Sequence, residues 1–290
     1  MIFVEDLGNP EGPVLLSDHS WALVEMHPDR GWITHLSSDG KERRVIATTG
    51  RPNGLLVDSD GVLWVAESVN PPSLLRVTMD GHVERVLDNC DGEPFLFPND
   101  LCFGSDGALY MTDSGILNSE WRKYEDRSKA PADGRIYRID LSDRSIRKLD
   151  SGLAFANGIA FGPDDHLYVS TTQAAKVYRY RWNSDGSLGP REEFADLLDP
   201  EKSGFRGGDG MAFGQDGNLY CAVVGQGDVS VFAPDGSLVR RIQLQGPAPT
   251  NVAFGPQGSR KLYVTEQGVG RFEVYDVDTD GLPLHPGRES

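Results

Sequence analysis

PNDLCFGSDGALYMTD, residues 98–113, is the stretch on which the reading of this chain turns, because it recurs. PNGLLVDSDGVLWVAE (52–67), ANGIAFGPDDHLYVST (156–171), GDGMAFGQDGNLYCAV (208–223) and TNVAFGPQGSRKLYVTE (250–266) share its frame, and a degenerate copy runs from Glu11-Gly12-Pro13 to WALVE at 21–25. Each copy reads as a strand, a tight turn and a second strand; Asp60-Gly61, Asp106-Gly107 and Asp216-Gly217 supply the left-handed residue that a short hairpin needs. Two more strand-like runs follow each copy, as in GRIYRIDL (134–141) and SIRKLD (145–150). The 240 residues between Glu11 and Asn251 hold five steps of forty-eight, a period that signals a repeat architecture. Four antiparallel strands in each of six repeats predict an all-β, six-bladed β-propeller, which removes sheet edges by closing on itself.

Closure is also readable. The last repeat offers three strands, ending at RFEVYDV (271–277), and the tail LPLHPGRES (282–290) does not resemble a fourth. IFVEDL (2–7) stands before Glu11 as ERRVIA (42–47) stands before Asn53, so the N-terminal strand is expected to complete the last blade. The whole chain, 1–290, then reads as a single propeller domain.

Composition narrows the partners. Lys and Arg number 28 against 44 Asp and Glu, a formal charge of −16. This disfavours nucleic acid and anionic membrane surfaces and permits cation binding, although acidity also serves solubility. The N-terminus lacks a basic region followed by an apolar run, and nothing approaches the length of a membrane span. Cys90, Cys102 and Cys221 cannot all pair and form no Cys-x-x-Cys motif, so they read as reduced thiols in a cytoplasmic protein. Full closure leaves no edge for assembly, which favours a monomer.

One position of the repeat changes chemistry from copy to copy: Glu11, Asn53, Asn99, Asn157, Asp209 and Asn251. These are first residues of the innermost strands, so they converge near the propeller axis. Two carboxylates about 5 Å apart repel by roughly 3 kcal/mol at an effective dielectric of 20, which calls for a shared proton or a cation. An all-oxygen shell from Glu11, Asn99, Asn157 and Asp209 suits Ca²⁺, with Mg²⁺, Mn²⁺ and Zn²⁺ as alternatives. Each asparagine alone also suits a turn or a strand end, and Asn53 and Asn251 have no role that the sequence supplies. Glu11 and Asp209 resist that reading, because a buried charge adds nothing structural. Glu25, Glu67, Asp113 and Glu266 end their copies on the same face and are candidates for a second tier around the mouth.

Pro10-Glu11-Gly12-Pro13, Pro98-Asn99-Asp100, Ala156-Asn157-Gly158 and Gly208-Asp209-Gly210 together resemble the signature of the regucalcin (senescence marker protein)/gluconolactonase family of calcium-dependent six-bladed propeller lactonases. The resemblance covers nearly the whole chain. It implies that Glu11, Asn157 and Asp209 are metal ligands and that Asn99 is a further ligand or a substrate contact. Most members are lactone hydrolases, and related propellers with a similar site cleave phosphotriesters. Animal sugar-lactone members carry an arginine where Phe97 stands here, which points to a less polar ring as substrate.

The expected activity is opening of a lactone or other ester ring, with the axial cation polarising the carbonyl and Asp209 assisting water attack. A phosphotriesterase-like or other ester hydrolase, or a non-catalytic calcium-binding propeller, are the alternatives. The long connection 114–133 could place Trp121, Arg122, Lys123 and Tyr124 over the substrate as a lid, or be a solvated excursion; 199–210 could bring Phe205 or Arg206 over the mouth. Candidate substrate contacts are therefore Phe97, Asn99, Trp121, Arg122, Tyr124 and Arg206. No Gly-x-Ser-x-Gly elbow or phosphate-binding Gly-x-x-x-x-Gly-Lys motif competes.

Overall fold

The computed structural model describes residues 1–287; residues 288–290, the end of the predicted non-strand tail, lie outside the described residues. Six four-stranded antiparallel sheets form the blades of a propeller. Their innermost strands are Pro10–Leu15, Pro52–Val57, Pro98–Phe103, Ala156–Phe161, Gly207–Phe213 and Pro249–Phe254. Each of these contacts the next around the ring, and the sixth contacts the first. The sixth blade is Pro249–Phe254, Lys261–Glu266, Arg271–Asp276 and, as its outer strand, Ile2–Val4, with Ile2 opposite Glu273 and Val4 opposite Phe272. The N-terminus therefore closes the ring as the sequence predicts.

Burial follows the radius. Second strands such as Leu63–Glu67 and Leu109–Asp113 are buried throughout, whereas the outer strands Leu238–Gln243 and Glu192–Asp196 are largely solvated. The core lies between blades and is built from one recurring aromatic. Tyr110 stacks edge-on against Phe161 of the next blade at 5.0 Å, Tyr168 against Phe213 at 4.9 Å and Tyr220 against Phe254 at 5.1 Å. Trp64 packs among Leu101, Phe103 and Leu109, and Tyr263 meets Trp21 at 4.4 Å across the closing seam. The polar end of the aromatic is satisfied locally: Trp64 Nε1 donates to Asp58 (2.9 Å), and the Tyr110 and Tyr168 hydroxyls donate to Asp106 (3.2 Å) and Asp164 (2.9 Å). Such pairs add about 0.5–1.5 kcal/mol beyond area burial, once per seam.

The hairpin turns form the lower face, with Gly61, Gly107 and Gly217 at φ 79°, 75° and 79°, as the Asp-Gly pairs require. Below the axis lies an apolar cavity of about 300 Å³, with Asp100 and Asn251 among its lining residues. The C-terminal tail crosses it: Leu282 N donates to Phe213 O (2.8 Å), His285 meets the Phe161 ring, and Gly287 O accepts from Ser59 N (3.1 Å). All three cysteines are unpaired. Among the described residues no helix is long and apolar enough to cross a membrane.

The first strand seals the ring through Phe3, whose ring lies 5.1 Å from Tyr263 and 5.7 Å from Phe272. Deleting residues 1–7 exposes the Arg271–Asp276 edge, so the truncated chain should melt at lower temperature and aggregate with concentration. Calorimetry and light scattering check this; a soluble truncation of unchanged Tm contradicts it.

Candidate active site

The upper end of the channel opens into a cavity of about 750 Å³, and Glu11, Asn53, Asn99, Asn157 and Asp209 all line it. Five blades thus deliver the same repeat position to one space, each side chain at most 8 % exposed. Two local features permit the convergence. In these five blades the pairing of the innermost strand with its neighbour slips at or just after this position, a bulge that re-aims the side chain. The residue that follows is glycine in four blades. A β-carbon at Gly54 would lie 2.6 Å from the Asp100 Cα, and one at Gly158 or Gly210 would collide with Asp209 or Asn251 of the next blade.

Hydroxyl groups set the amide orientations. Ser114 Oγ donates to Ala156 O (3.0 Å) and Thr172 Oγ1 to Gly208 O (2.8 Å). Having donated, each hydroxyl offers lone pairs, and these take the amide nitrogens: Asn99 Nδ2 to Ser114 (2.9 Å) and Asn157 Nδ2 to Thr172 (2.9 Å). The amide oxygens are left to face elsewhere, and Asn157 Oδ1 is buried with no hydrogen-bond partner. In the sixth blade the register puts Thr250, not Asn251, at the repeat position: Thr250 lines the upper cavity, while Asn251 stands level with Asp100 and donates from Nδ2 to Glu11 Oε2 at 3.0 Å, so positioning that carboxylate.

The floor holds more negative charge than it can comfortably ionise. Burial, then the Asp100 charge, raises Glu11 to about 8. Burial raises Asp100 to about 7. Asp209 is pushed well up by burial, by Glu11 and by Asp100, against the lowering effect of a hydrogen bond from Asn157. Asp100 is the group that sequence reasoning missed. It occupies the position that is glycine in four other copies, and that departure from the repeat was its signal. Arg51 was missed as well: it lines the mouth beside Phe97.

Phe97, Trp121 and Arg122 line the cavity, together with Phe155 and Phe205. Trp121 packs on Phe155 at 4.2 Å, and Gln173 Nε2 ties down the loop through Arg127 O and Ala130 O, both at 2.7 Å. The 114–133 connection is thus a packed wall. Tyr124 and Arg206, expected as substrate contacts, do not line the cavity. The turn in which Arg127 Nε donates to Tyr124 O (3.0 Å) leaves Tyr124 36 % exposed. The Arg206 guanidinium closes its own loop by donating to Asp199 O and Gly204 O. Lys123 pairs with Glu120 at 2.7 Å.

The expected second tier is also corrected. Glu67 accepts from Gly50, Arg51 and Val69 backbone N–H groups (3.1, 2.6 and 3.0 Å), Asp113 from Leu96, Phe97 and Gly115 (2.8, 3.0 and 2.7 Å), and Glu266 from Ala248, Gly268 and Val269 (2.7, 3.1 and 2.7 Å). Glu25 takes Gly8 N at 2.7 Å and Thr34 Oγ1 at 2.7 Å, and pairs with Arg30. These buried acids fasten the loops that rim the mouth, because unpaired buried N–H groups are costly. Two of them fix the backbones of Arg51 and Phe97.

Among the described residues no three His, Cys, Asp or Glu side chains gather as a metal site. The axial set is of another kind, two carboxylates with amide oxygens, one of them without a partner. That donor set fits a hard divalent cation.

The profile of the SMP-30/Gluconolactonase/LRE-like region matches residues 9–268. The chain belongs to that family. Among relatives, it is 29% identical to a gluconolactonase of Zymomonas mobilis, over 93% of this chain and 80% of that one. It is 27% identical to diisopropyl-fluorophosphatase of Loligo vulgaris, over 93% and 90%. Among solved structures, a calcium-binding regucalcin from Agrobacterium tumefaciens superposes with a TM-score of 0.80 at 20% identity, covering 99% of this chain and 96% of that one, which shows the shared fold.

Burial of the floor carboxylates couples folding to pH. An unfolded chain binds a proton at Glu11 only below its ordinary value of 4.5, whereas the folded chain holds it up to about 8. Between those values the native state binds more protons, so native stability falls as pH rises. Without divalent ions, the Tm should therefore drop from pH 5 to pH 8, and Glu11→Gln should flatten the slope. Calorimetry across that range checks it; a Tm that climbs through the window in wild type contradicts it.

Proposed function

We propose that this protein hydrolyses a lactone or closely related ester in the upper cavity, with Glu11, Asn99, Asn157 and Asp209 as the residues that would hold a divalent cation, Ca²⁺ foremost. The chain is a hydrolase of the gluconolactonase type by its family and its kinship. The observation that carries the finer reading is the Asn157 amide oxygen, buried and unpartnered beside two carboxylates whose charge burial opposes. A cation bound there supplies Lewis-acid polarisation of the ester carbonyl.

This chain's residues do the rest. Asp209, at the floor of the cavity, takes a proton at its carboxylate from the attacking water. The water oxygen adds to the carbonyl carbon, the ring C–O bond breaks, and the proton passes to the departing ring oxygen to give the open hydroxy acid. Phe97, Trp121, Phe155 and Phe205 shield the ring from bulk water. Asn251 keeps Glu11 from turning away from the axis.

The similarity to diisopropyl-fluorophosphatase over nearly the full length of both chains, with the aromatic wall around the mouth, supports a second reading in which an activated phosphotriester or other ester enters the same site.

Asp209→Asn removes the proton acceptor with little change of shape and should lower kcat/KM for a hydrolysed lactone by at least about 10²-fold. Chelator treatment should abolish turnover and Ca²⁺ should restore it. A panel of lactones and phosphotriesters, assayed by proton release, checks both; near-full activity of Asp209→Asn removes it from the reaction, and chelator-insensitive turnover removes the cation.

A further inference from the structure

The mouth contains three guanidinium groups, Arg51, Arg122 and Arg127, facing three carboxylates, Glu11, Glu125 and Asp209. With Asp100 in the floor and Glu67 behind Arg51, acids outnumber the arginines. Glu11 and Asp209, however, are the two that a divalent cation would claim. Once such an ion is in place, those two carboxylates are engaged by it and no longer answer the arginines at the mouth.

Arg51 is built as a receptor. Its backbone N–H is clamped by Glu67 at 2.6 Å, which fixes where the side chain starts. Its guanidinium lies over the Phe97 ring at 5.2 Å, which fixes the plane of the fork. One terminal nitrogen donates to Ser68 Oγ at 3.3 Å, and Nε is buried with no partner. Burial and the neighbouring Arg122 charge hold its pKa down at about 10, although Glu67, Glu11 and Asp209 pull it back up. Arg122 is steadied from its own helix through Nε to Asn118 Oδ1 at 3.3 Å. Buried donors of this kind are costly until filled, and a guanidinium fork matches a carboxylate or phosphate. A neutral polyol ring offers oxygens but no charge to set against the two guanidiniums.

We infer that the substrate is an anionic lactone, whose carboxylate or phosphate substituent is received between Arg51 and Arg122 while its ring lies over the axial floor. This rests on the lactonase reading and specifies its substrate class. Phe97, standing where sugar-lactone relatives carry an arginine, is the platform that positions Arg51.

The test is a matched set of aldono-1,5-lactones with Ca²⁺ present: one with a terminal hydroxymethyl, one with a carboxylate there, and one with its phosphate ester. At least one anionic ring should exceed the neutral ring in kcat/KM by about tenfold or more, a preference that shrinks as salt rises. The anionic-to-neutral ratio should fall by about tenfold in Arg122→Gln and in Arg51→Met, the first variant guarding against a folding defect in the second. A neutral ring turned over as well as both anionic rings, or a ratio unchanged in both variants, overturns the inference while leaving the lactonase reading intact. If no ring is opened, the lactonase reading has failed, and the arginine site is decided by calorimetry. Ca²⁺-loaded protein should bind the open-chain aldaric diacid or the phosphorylated acid about tenfold more tightly than the aldonic monoacid, and equal affinities for all three overturn it.

Discussion

Mutual repulsion among acids buried in one channel is the constraint around which this molecule is arranged. Closing six sheets into a ring forces the first residues of their inner strands together, whatever those residues are. Amides alone there would be tolerable and inert. Placing Glu11 and Asp209 among them, with Asp100 one residue below Asn99, creates a charge that the fold alone cannot relieve. The surrounding structure holds these groups rather than neutralising them: Asn251 grips Glu11, and Thr172 and Ser114 turn the amide oxygens of Asn157 and Asn99 away from the blades. An assembly that orders unfavourable groups with this many supports is preorganised for something absent from the polypeptide.

The supports have their own supports, and they follow the repeat. The aromatic between blades fixes the wedge angle, and the hairpin aspartate below it satisfies its polar end. The acid closing each upper hairpin in four of the blades was read from sequence as part of the site, but it spends its oxygens on loop amides. That result is physically sensible: a carboxylate with three backbone donors satisfies its lone pairs better than one facing a crowded cation cage. It also ties the mouth to the frame, since Glu67 and Asp113 anchor the residues that carry Arg51 and Phe97.

Legibility differed by kind of information. Period, strand order and ring closure were readable because they rest on local pattern: Asp-Gly turns, alternating apolar residues and one missing strand at the end matched by one spare strand at the start. The floor was readable because the repeat supplies a register, so Glu11 and Asp209 stood out against asparagine. Asp100 escaped because attention fell on Asn99 and not on the glycine position beside it. Arg51 escaped because its role depends on where a connection bends, and no repeat encodes that. Tyr124 and Arg206 were placed at the mouth by loop length alone; side-chain direction in irregular segments is set by contacts such as Arg206 to Asp199 O, which a sequence does not display.

We propose that the axial oxygens form one cage for a hard divalent ion. Calorimetric titration of chelator-treated protein with Ca²⁺ addresses it without reference to any substrate. Such a cage requires saturable uptake of an ion at this site, weakened by at least about tenfold in Glu11→Gln and in Asp209→Asn while the far-ultraviolet spectrum stays that of the folded propeller. A folded wild-type protein that takes up no divalent ion, or one whose uptake is untouched by both substitutions, would contradict it.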